Sequence, residues 1–203
     1  MKIAVIGAGN VGSTLANSWV KAAHQVVFGL RDPAKPISRS SGIPSKTVKD
    51  AIASADTILL AVPFSAVEAI VIGSGNLAGK ILLDATNPLS ADLSGLTIGH
   101  DTSAGEQIAA WAPAARVVKV FDTTGANNMA APSYHGHALT MLYAGDDAAA
   151  KETTATLIRD AGMDPVDAGP LRNARLLEPL GMMWIYLAFH GVGRDFAFQL
   201  VRR

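Results

Sequence analysis

Three glycines near the N-terminus, Gly7, Gly9 and Gly12, stand at the spacing Gly-x-Gly-x-x-Gly directly after the apolar run Ile3-Ala4-Val5-Ile6. A strand that runs into such a turn and out into a helix is built to hold a diphosphate. Gly7 permits the tight turn, Gly9 keeps a Cβ out of the path of the pyrophosphate, and Gly12 lets the helix close on the strand. Ala8, Asn10 and Val11 complete the cradle. The free N–H groups and positive dipole end of a helix starting near Asn10 favour an anion there. Residues 7 to 12 are thus the expected dinucleotide-binding turn.

The choice between NAD and NADP is read about 20 residues further on, where an NAD site carries Asp or Glu for the ribose 2′-hydroxyl. At the end of the strand His24-Gln25-Val26-Val27-Phe28-Gly29 stands Leu30, followed by Arg31 and, four residues later, Lys35. No carboxylate at Leu30 repels a 2′-phosphate, and a guanidinium can pair with one bidentately. Arg31 and Lys35 are the expected phosphate ligands and NADP(H) the expected cofactor. Asp32 works against this if its carboxylate turns inward.

Two further segments, Ala61-Val62-Pro63-Phe64 and Thr86-Asn87-Pro88, follow the third and fourth expected strands. Ligands of open α/β sheets lie in the crevice beyond the carboxyl ends of the strands. Ala61, Val62, Pro63, Asn87 and Pro88 are therefore expected to line the cofactor, with Phe64, Thr123 and Gly125 on the side of a second substrate. Plain turn chemistry would also account for the prolines.

Other chemistry is excluded or unsupported. The chain has no cysteine, which removes disulfides, thiolate catalysis and Cys-based metal sites. Gly79-Lys80 lacks the earlier glycine of a P-loop and has Ile81 where Ser or Thr would bind Mg²⁺. Tyr134, Tyr143 and Tyr186 are followed four residues later by Ala138, Asp147 and His190, so the Tyr-x-x-x-Lys pair of short-chain dehydrogenases is absent. His135 and His137 have no third ligand at convincing spacing, and no metal is expected. A net charge of zero gives no basis for nucleic-acid binding. The N-terminal apolar run is too short for a signal peptide and residues 180–189 fall below the ~20 needed to span a bilayer. A cytoplasmic protein without a membrane segment is expected.

The elements that must position these residues alternate. Apolar runs predict strands over 2–6, 25–28, 57–62, 80–84, 116–121, 139–144 and 165–168. Helical periodicity falls over 10–23, 47–54, 64–72, 103–111 and 147–161. Residues 33–45, with Pro33, Pro36 and Pro44, residues 88–102 and residues 123–137 read as loops. From 172 onward the pattern is helical, interrupted at Pro179 and at Gly191-Val192-Gly193, and Arg202-Arg203 reads as a solvated helix end. This is an α/β, Rossmann-type doubly wound, mainly parallel sheet. It spans residues 1–170, with a short C-terminal helical extension over 171–203 packed on it or continuous with it. The Met- and aromatic-rich run from Leu176 to Trp184 reads as a core or homodimer helix or as a substrate wall.

Along nearly its whole length the chain resembles the NADPH-dependent coenzyme F420 reductases, or F420H2:NADP oxidoreductases. The resemblance is carried by Ile6-Gly7-Ala8-Gly9-Asn10-Val11-Gly12, Gly29-Leu30-Arg31, Ala61-Val62-Pro63 and Asp84-Ala85-Thr86-Asn87-Pro88. It continues in Val118-Lys119-Val120-Phe121-Asp122-Thr123, Ala144-Gly145-Asp146-Asp147, Asp167-Ala168-Gly169-Pro170-Leu171 and Arg175-Leu176-Leu177-Glu178. It implies hydride transfer between NADP(H) and a deazaflavin, with both rings stacked in the cleft and Arg31 and Lys35 at the 2′-phosphate. Leu30 stands where that family has Ser or Thr, and Asp122 where it often has Asn. The chain is also similar to the nucleotide domain of ferric reductases that use a flavin, so the second ring, a small-molecule redox co-substrate, is F420, a flavin or another acceptor. Ring-to-ring hydride transfer needs proximity and orientation more than an acid or base, and no general acid or base is assigned. A reductase of a small imine or carbonyl, or a non-catalytic NADP-binding sensor, are the alternatives.

Overall fold

The first strand, Lys2–Ile6, is apolar from Ile3 to Ile6, all four buried, because both of its faces are covered. A computed structural model of the chain describes every residue except Pro36, Ser41 and Arg202. Its strands are β1 (Lys2–Ile6), β2 (Gln25–Leu30), β3 (Ser45–Thr47), β4 (Thr57–Leu60), β5 (Ile81–Asp84), β6 (Arg116–Val120), β7 (Ser133–Tyr134), β8 (His137–Ala138), β9 (Thr140–Gly145) and β10 (Asp164–Asp167). Its helices are α1 (Asn10–Lys21), α2 (Val48–Ala53), α3 (Val67–Gly73), α4 (Ala104–Trp111), α5 (Ala126–Ala130), α6 (Ala148–Asp160) and α7 (Ala174–Phe189).

Eight strands pair in the order β10-β9-β6-β5-β4-β1-β2-β3, and β7 and β8 form a separate ribbon. From β3 to β6 all pairs are parallel, the order of a Rossmann domain, while β9 runs antiparallel to β6 and β10 parallel to β9. Alternate residues of β1 separate the two cores. Ile3 and Val5 pack with Leu15, Trp19 and Phe28 on one face, and Ala4 and Ile6 pack with Ile52, Leu60 and Ile108 on the other. The strand order reverses between β1 and β4, so the crevice lies beyond Ile6 and Leu60.

Helix starts follow their capping chemistry. Thr47 accepts a hydrogen bond from Asp50 N and Asp147 from Ala150 N. Ser103 accepts from Glu106 N at 3.2 Å and donates to its carboxylate at 2.7 Å.

Several expectations are corrected. The expected helix over 47–54 is α2, with Thr47 as its N-cap, but the expected loop 33–45 runs into β3, a polar three-residue edge strand too short to show a period. The segment expected to be helical over 64–72 opens with a 3₁₀ turn, Phe64–Ala66, before α3. The expected loop 123–137 contains α5 and the β7–β8 ribbon; α5 is fixed by burial of Met129 and by the Asn128 side chain, which donates to Thr124 Oγ1 and Phe196 O. Pro179 does not interrupt α7, because burial of Leu177, Glu178, Gly181 and Trp184 holds the helix across it.

Beyond Phe189 the chain is not helical. It folds back: Trp184 Nε1 donates to Phe196 O at 2.9 Å, the two rings stack at 5.3 Å, and Thr140 N donates to Phe198 O. Arg203 is therefore no helix end, and Arg202 and Pro36 lie outside the described residues.

Candidate cofactor site

The Gly7 turn is dictated by close approach. Gly7 has φ +102°, and a Cβ on it would lie 2.4 Å from Ala61 O; a Cβ on Gly12 would lie 2.1 Å from Gly7 O. The first contact locks the turn against the end of β4, and the second seats α1 on the strand. Gly9 is different: nothing lies within 4 Å of the Cβ it lacks. Gly9 is also the N-cap of α1, with no side chain capping the first turn and no acidic residue in it. The leading N–H groups of a twelve-residue helix are thus left open toward the crevice, where an anion satisfies them. These residues fit a pyrophosphate.

Beyond β2 lies an open cleft of about 610 Å³ lined by Ala8, Leu30, Arg31, Asp32, Lys35, Ile37 and Ser38. Arg31 and Lys35 are exposed, and neither forms an ion pair among the described residues. Asp32 borders the same cleft, and its Oδ1 accepts from Ala34 N at 3.1 Å, closing a local turn. One oxygen of Asp32 is occupied locally, and the two cations Arg31 and Lys35 border the cleft without an ion-pair partner among the described residues.

Ala61, Val62 and Pro63 form the turn beyond β4, facing Gly7. Phe64 stacks on Trp111 of α4 with centroids 5.7 Å apart. Asn87 and Pro88 follow β5, and Asn87 Nδ2 donates to Asp122 O at 3.0 Å. Thr123 and Gly125 are buried, and a Cβ on Gly125 would lie 2.4 Å from Trp184. They are packed beneath α7, whereas the glycine turn and the 610 Å³ cleft are open. His135 and His137 sit in the exposed β7–β8 ribbon.

What the residue types alone did not point to is a buried charge cluster at the ends of β5 and β6. Lys119 has 0% exposure and lies 3.0 Å from Asp84 Oδ2 and 3.2 Å from Glu178 Oε1; it also donates to Thr86 O. Asp84 accepts from Thr86 N and Oγ1 as well. Glu178 accepts from Ala104 N and Gly105 N at the start of α4. Against the effect of burial, the carboxyl groups of Asp84, Asp122 and Glu178 hold the Lys119 ammonium above its usual range. The available signal was a lysine inside the otherwise apolar strand Val117-Val118-Lys119-Val120-Phe121, where both faces are buried.

Phe121, fully buried edge-on to Trp19, takes φ +62° and ends β6 in a left-handed turn. Such backbone costs about 1–3 kcal/mol and gathers at functional sites. It brings Asp122 to the cluster, where burial and the Asp84 and Glu178 charges outweigh Lys119 and push its carboxyl up to about 7.

A second surface lies along α7. Between it and residues 94–100 runs an open groove of about 1110 Å³, flanked by Ile98, His100, Arg172, Met183 and Tyr186. Leu176, Met183, Tyr186 and Phe189 are exposed, while Leu177, Glu178, Gly181 and Trp184 face the core.

A glycine turn at the switch point of a doubly wound sheet, with cations beyond the second strand, defines a dinucleotide-binding oxidoreductase class. Residues 2–88 match the family described as NADP oxidoreductase coenzyme F420-dependent. A protein of Arthrobacter sp. FB24, whose crystal structure is titled as that of a candidate F420-dependent NADP reductase, is 34% identical with all of both chains covered and a TM-score of 0.89. The chain belongs to this NADP-dependent oxidoreductase family.

Metalloreductase STEAP3 of Rattus norvegicus is 30% identical over 180 residues, covering 88% of this chain and 36% of that protein. The chain spans between about a third and half of the curated relatives it matches. A reductive aminase of Aspergillus terreus, solved with NADPH and ethyl-5-oxohexanoate, shares the fold at 22% identity and TM-score 0.69, covering 94% and 63% of the two chains. No helix among the described residues is long and apolar enough to cross a membrane.

Proposed function

We propose that the protein transfers a hydride between NADP(H) and a deazaflavin (F420) or flavin-like ring. The observation that carries the cofactor half is the cleft beyond β2: Arg31 and Lys35 border it, Leu30 replaces the NAD-selecting carboxylate, and Asp32 is tied into its own turn. Gly7, Ala8, Gly9, Asn10, Val11 and Gly12 would hold the pyrophosphate. Ala61, Val62, Pro63, Asn87 and Pro88 would line the ribose and nicotinamide. The bound dinucleotide would supply hydride chemistry at its nicotinamide; the chain's own part is to bind, orient and exclude water.

The acceptor half is supported by the full-length similarity to the Arthrobacter protein. The homodimer and the cytoplasmic setting belong to the same proposal. The exposed residues of α7, Leu176, Met183, Tyr186 and Phe189, are the dimer face, and light scattering of the purified chain tests it.

Mixing the protein with NADPH and, separately, F420, FMN, FAD and a panel of imines and ketones decides the acceptor. NADPH oxidation is expected with F420 or a flavin. Oxidation with an imine or ketone alone would favour the second reading, for which the shared fold of the reductive aminase speaks. Tight NADPH binding without oxidation by any of them would favour a sensor.

A further inference from the structure

Among the described residues, four buried side-chain polar atoms have no hydrogen-bond partner, and three of them belong to two residues joined by a hydrogen bond: Asn87 Oδ1, Asp122 Oδ1 and Asp122 Oδ2. The two residues touch, since Asn87 Nδ2 donates to Asp122 O at 3.0 Å, and Gly181 of α7 closes over both. With Asp122 ionised, these two adjoining residues carry three buried acceptors that no donor meets, an arrangement that buried structure avoids because each unmet group costs about 1–3 kcal/mol.

Lys119 cannot supply the missing donor. An ammonium has three N–H bonds, and its three partners are Asp84 Oδ2, Glu178 Oε1 and Thr86 O. Nor does the cluster need another anion. The groups facing Asp122 are Lys119 from β6, Asp84 from β5 and Glu178 from α7, one cation against two carboxylates. Asp84 and Glu178 each receive two donors besides Lys119, and Asp122 side-chain oxygens receive none. If one carboxyl in this group carries a proton, it is Asp122. That proton turns an unmet acceptor into a donor, with unmet Asn87 Oδ1 to receive it.

We propose that Asp122 is a positioning residue held as a neutral carboxylic acid, donating its O–H to Asn87 Oδ1 and so fixing the Asn87–Pro88 turn at the floor of the crevice. The direction in which its environment drives this carboxyl, up to about 7, agrees. The Asn87 amide is then clamped from both sides, giving its N–H to the Asp122 backbone and taking the Asp122 proton on its oxygen. Deprotonation removes one side of the clamp and places a third carboxylate beside a single lysine. The proton itself is independent of the cofactor reading; only its consequence for the crevice rests on that reading.

The test is infrared spectroscopy of the full chain without cofactor, titrated from about pH 5 to about pH 9, as wild type, Asp122→Asn and Asn87→Ala. The expected wild-type spectrum has the carbonyl stretch of a protonated carboxylic acid, absent from Asp122→Asn and fading as pH rises through about 7. In Asn87→Ala that band moves to the frequency of a less hydrogen-bonded acid and titrates at lower pH. Circular dichroism is expected to show that Asp122→Asn folds, since its amide supplies the same donor to Asn87.

No band at pH 6 that depends on Asp122 would overturn the proton, and a band unmoved by Asn87→Ala would overturn its acceptor. NADPH affinity then reads the consequence: it weakens severalfold above pH 7 in the wild type and stays flat in Asp122→Asn. Equal pH dependence in both proteins would overturn the positioning role. Failure to bind NADPH at any pH would overturn the cofactor reading and leave the infrared result standing.

Discussion

Glu178 of α7 reaches 3.2 Å from Lys119 Nζ in β6, and the same carboxylate accepts the first two N–H groups of α4. A residue from the C-terminal helix thus neutralises a lysine at the middle of the sheet and terminates a helix dipole. It ties α7 to the sheet at the edge of the crevice, while the Arg175–Glu106 pair, bidentate at 2.7 and 2.8 Å, ties α7 to α4.

Removing the lysine is expected to be severe. Lys119→Met strands Asp84 and Glu178 as buried charges, and breaking one side of a buried pair costs about 3–5 kcal/mol. Urea unfolding followed by circular dichroism checks this. Glu178→Gln is expected to cost less, because its amide oxygen still accepts at one of the two positions that the carboxylate oxygens fill. A Lys119→Met variant as stable as the wild type would show that the cluster does not hold α7.

The pH dependence of stability has a defined sign. Asp122 has its carboxyl raised from the ordinary 3.8 to about 7 in the fold. Between those values the native state binds more protons than the unfolded chain, so this group makes stability fall as pH rises, and its effect levels off above about 7. Glu106, held low by Arg175, and Asp167, held low by Lys151 and Gly169 N–H against its burial, act in the opposite sense at acid pH. The clean reading is therefore a difference. The stability of Asp122→Asn minus that of the wild type should grow from about pH 4 to about pH 7 and stay constant beyond. A flat difference would mean that Asp122 ionises normally.

The Rossmann half was legible because its strands are buried on both faces and read as unbroken apolar runs, and because the Gly7–Gly12 spacing sits where β1 ends. What the sequence did not show was decided by distant contacts. The helix α5 exists because Met129 and Asn128 are captured by the core and the tail. The helix α7 passes Pro179 because Glu178 and Gly181 are bound on its inner face. The role of Lys119 depends on partners 35 and 59 residues away along the chain, Asp84 and Glu178, and no local pattern joins them. The turn of Asp32 onto Ala34 N, which occupies one of its two carboxylate oxygens, depends on where one side chain rotates.

Two neighbouring glycines should fail in different ways. Gly7→Ala sets a Cβ 2.4 Å from the Ala61 backbone at φ +102°, so it should destabilise the whole fold by more than the about 1–3 kcal/mol of a single strained residue. Gly9→Ala meets nothing within 4 Å, so its melting temperature should stay near that of the wild type. Its Cβ instead occupies the approach to the α1 N-terminus, and NADPH binding should weaken by an order of magnitude or more. Thermal melts beside fluorescence titrations separate the two, and a Gly9→Ala variant that binds normally would remove the pyrophosphate from this turn.

Arg31 supplies the sharpest test of the cofactor. A charge-assisted bond to phosphate contributes about 1.5–3 kcal/mol, which is about a ten- to hundredfold change in affinity. Arg31→Ala should therefore lose that much for NADPH while NADH, with no 2′-phosphate, changes little. Lys35→Ala should show the same preference more weakly, as a flexible point charge would. Raising salt should weaken NADPH more than NADH in the wild type, because both side chains are exposed and screened. If Arg31→Ala weakened the two cofactors equally, the guanidinium would be serving the shared diphosphate, and the cleft beyond β2 would no longer explain a preference for NADP.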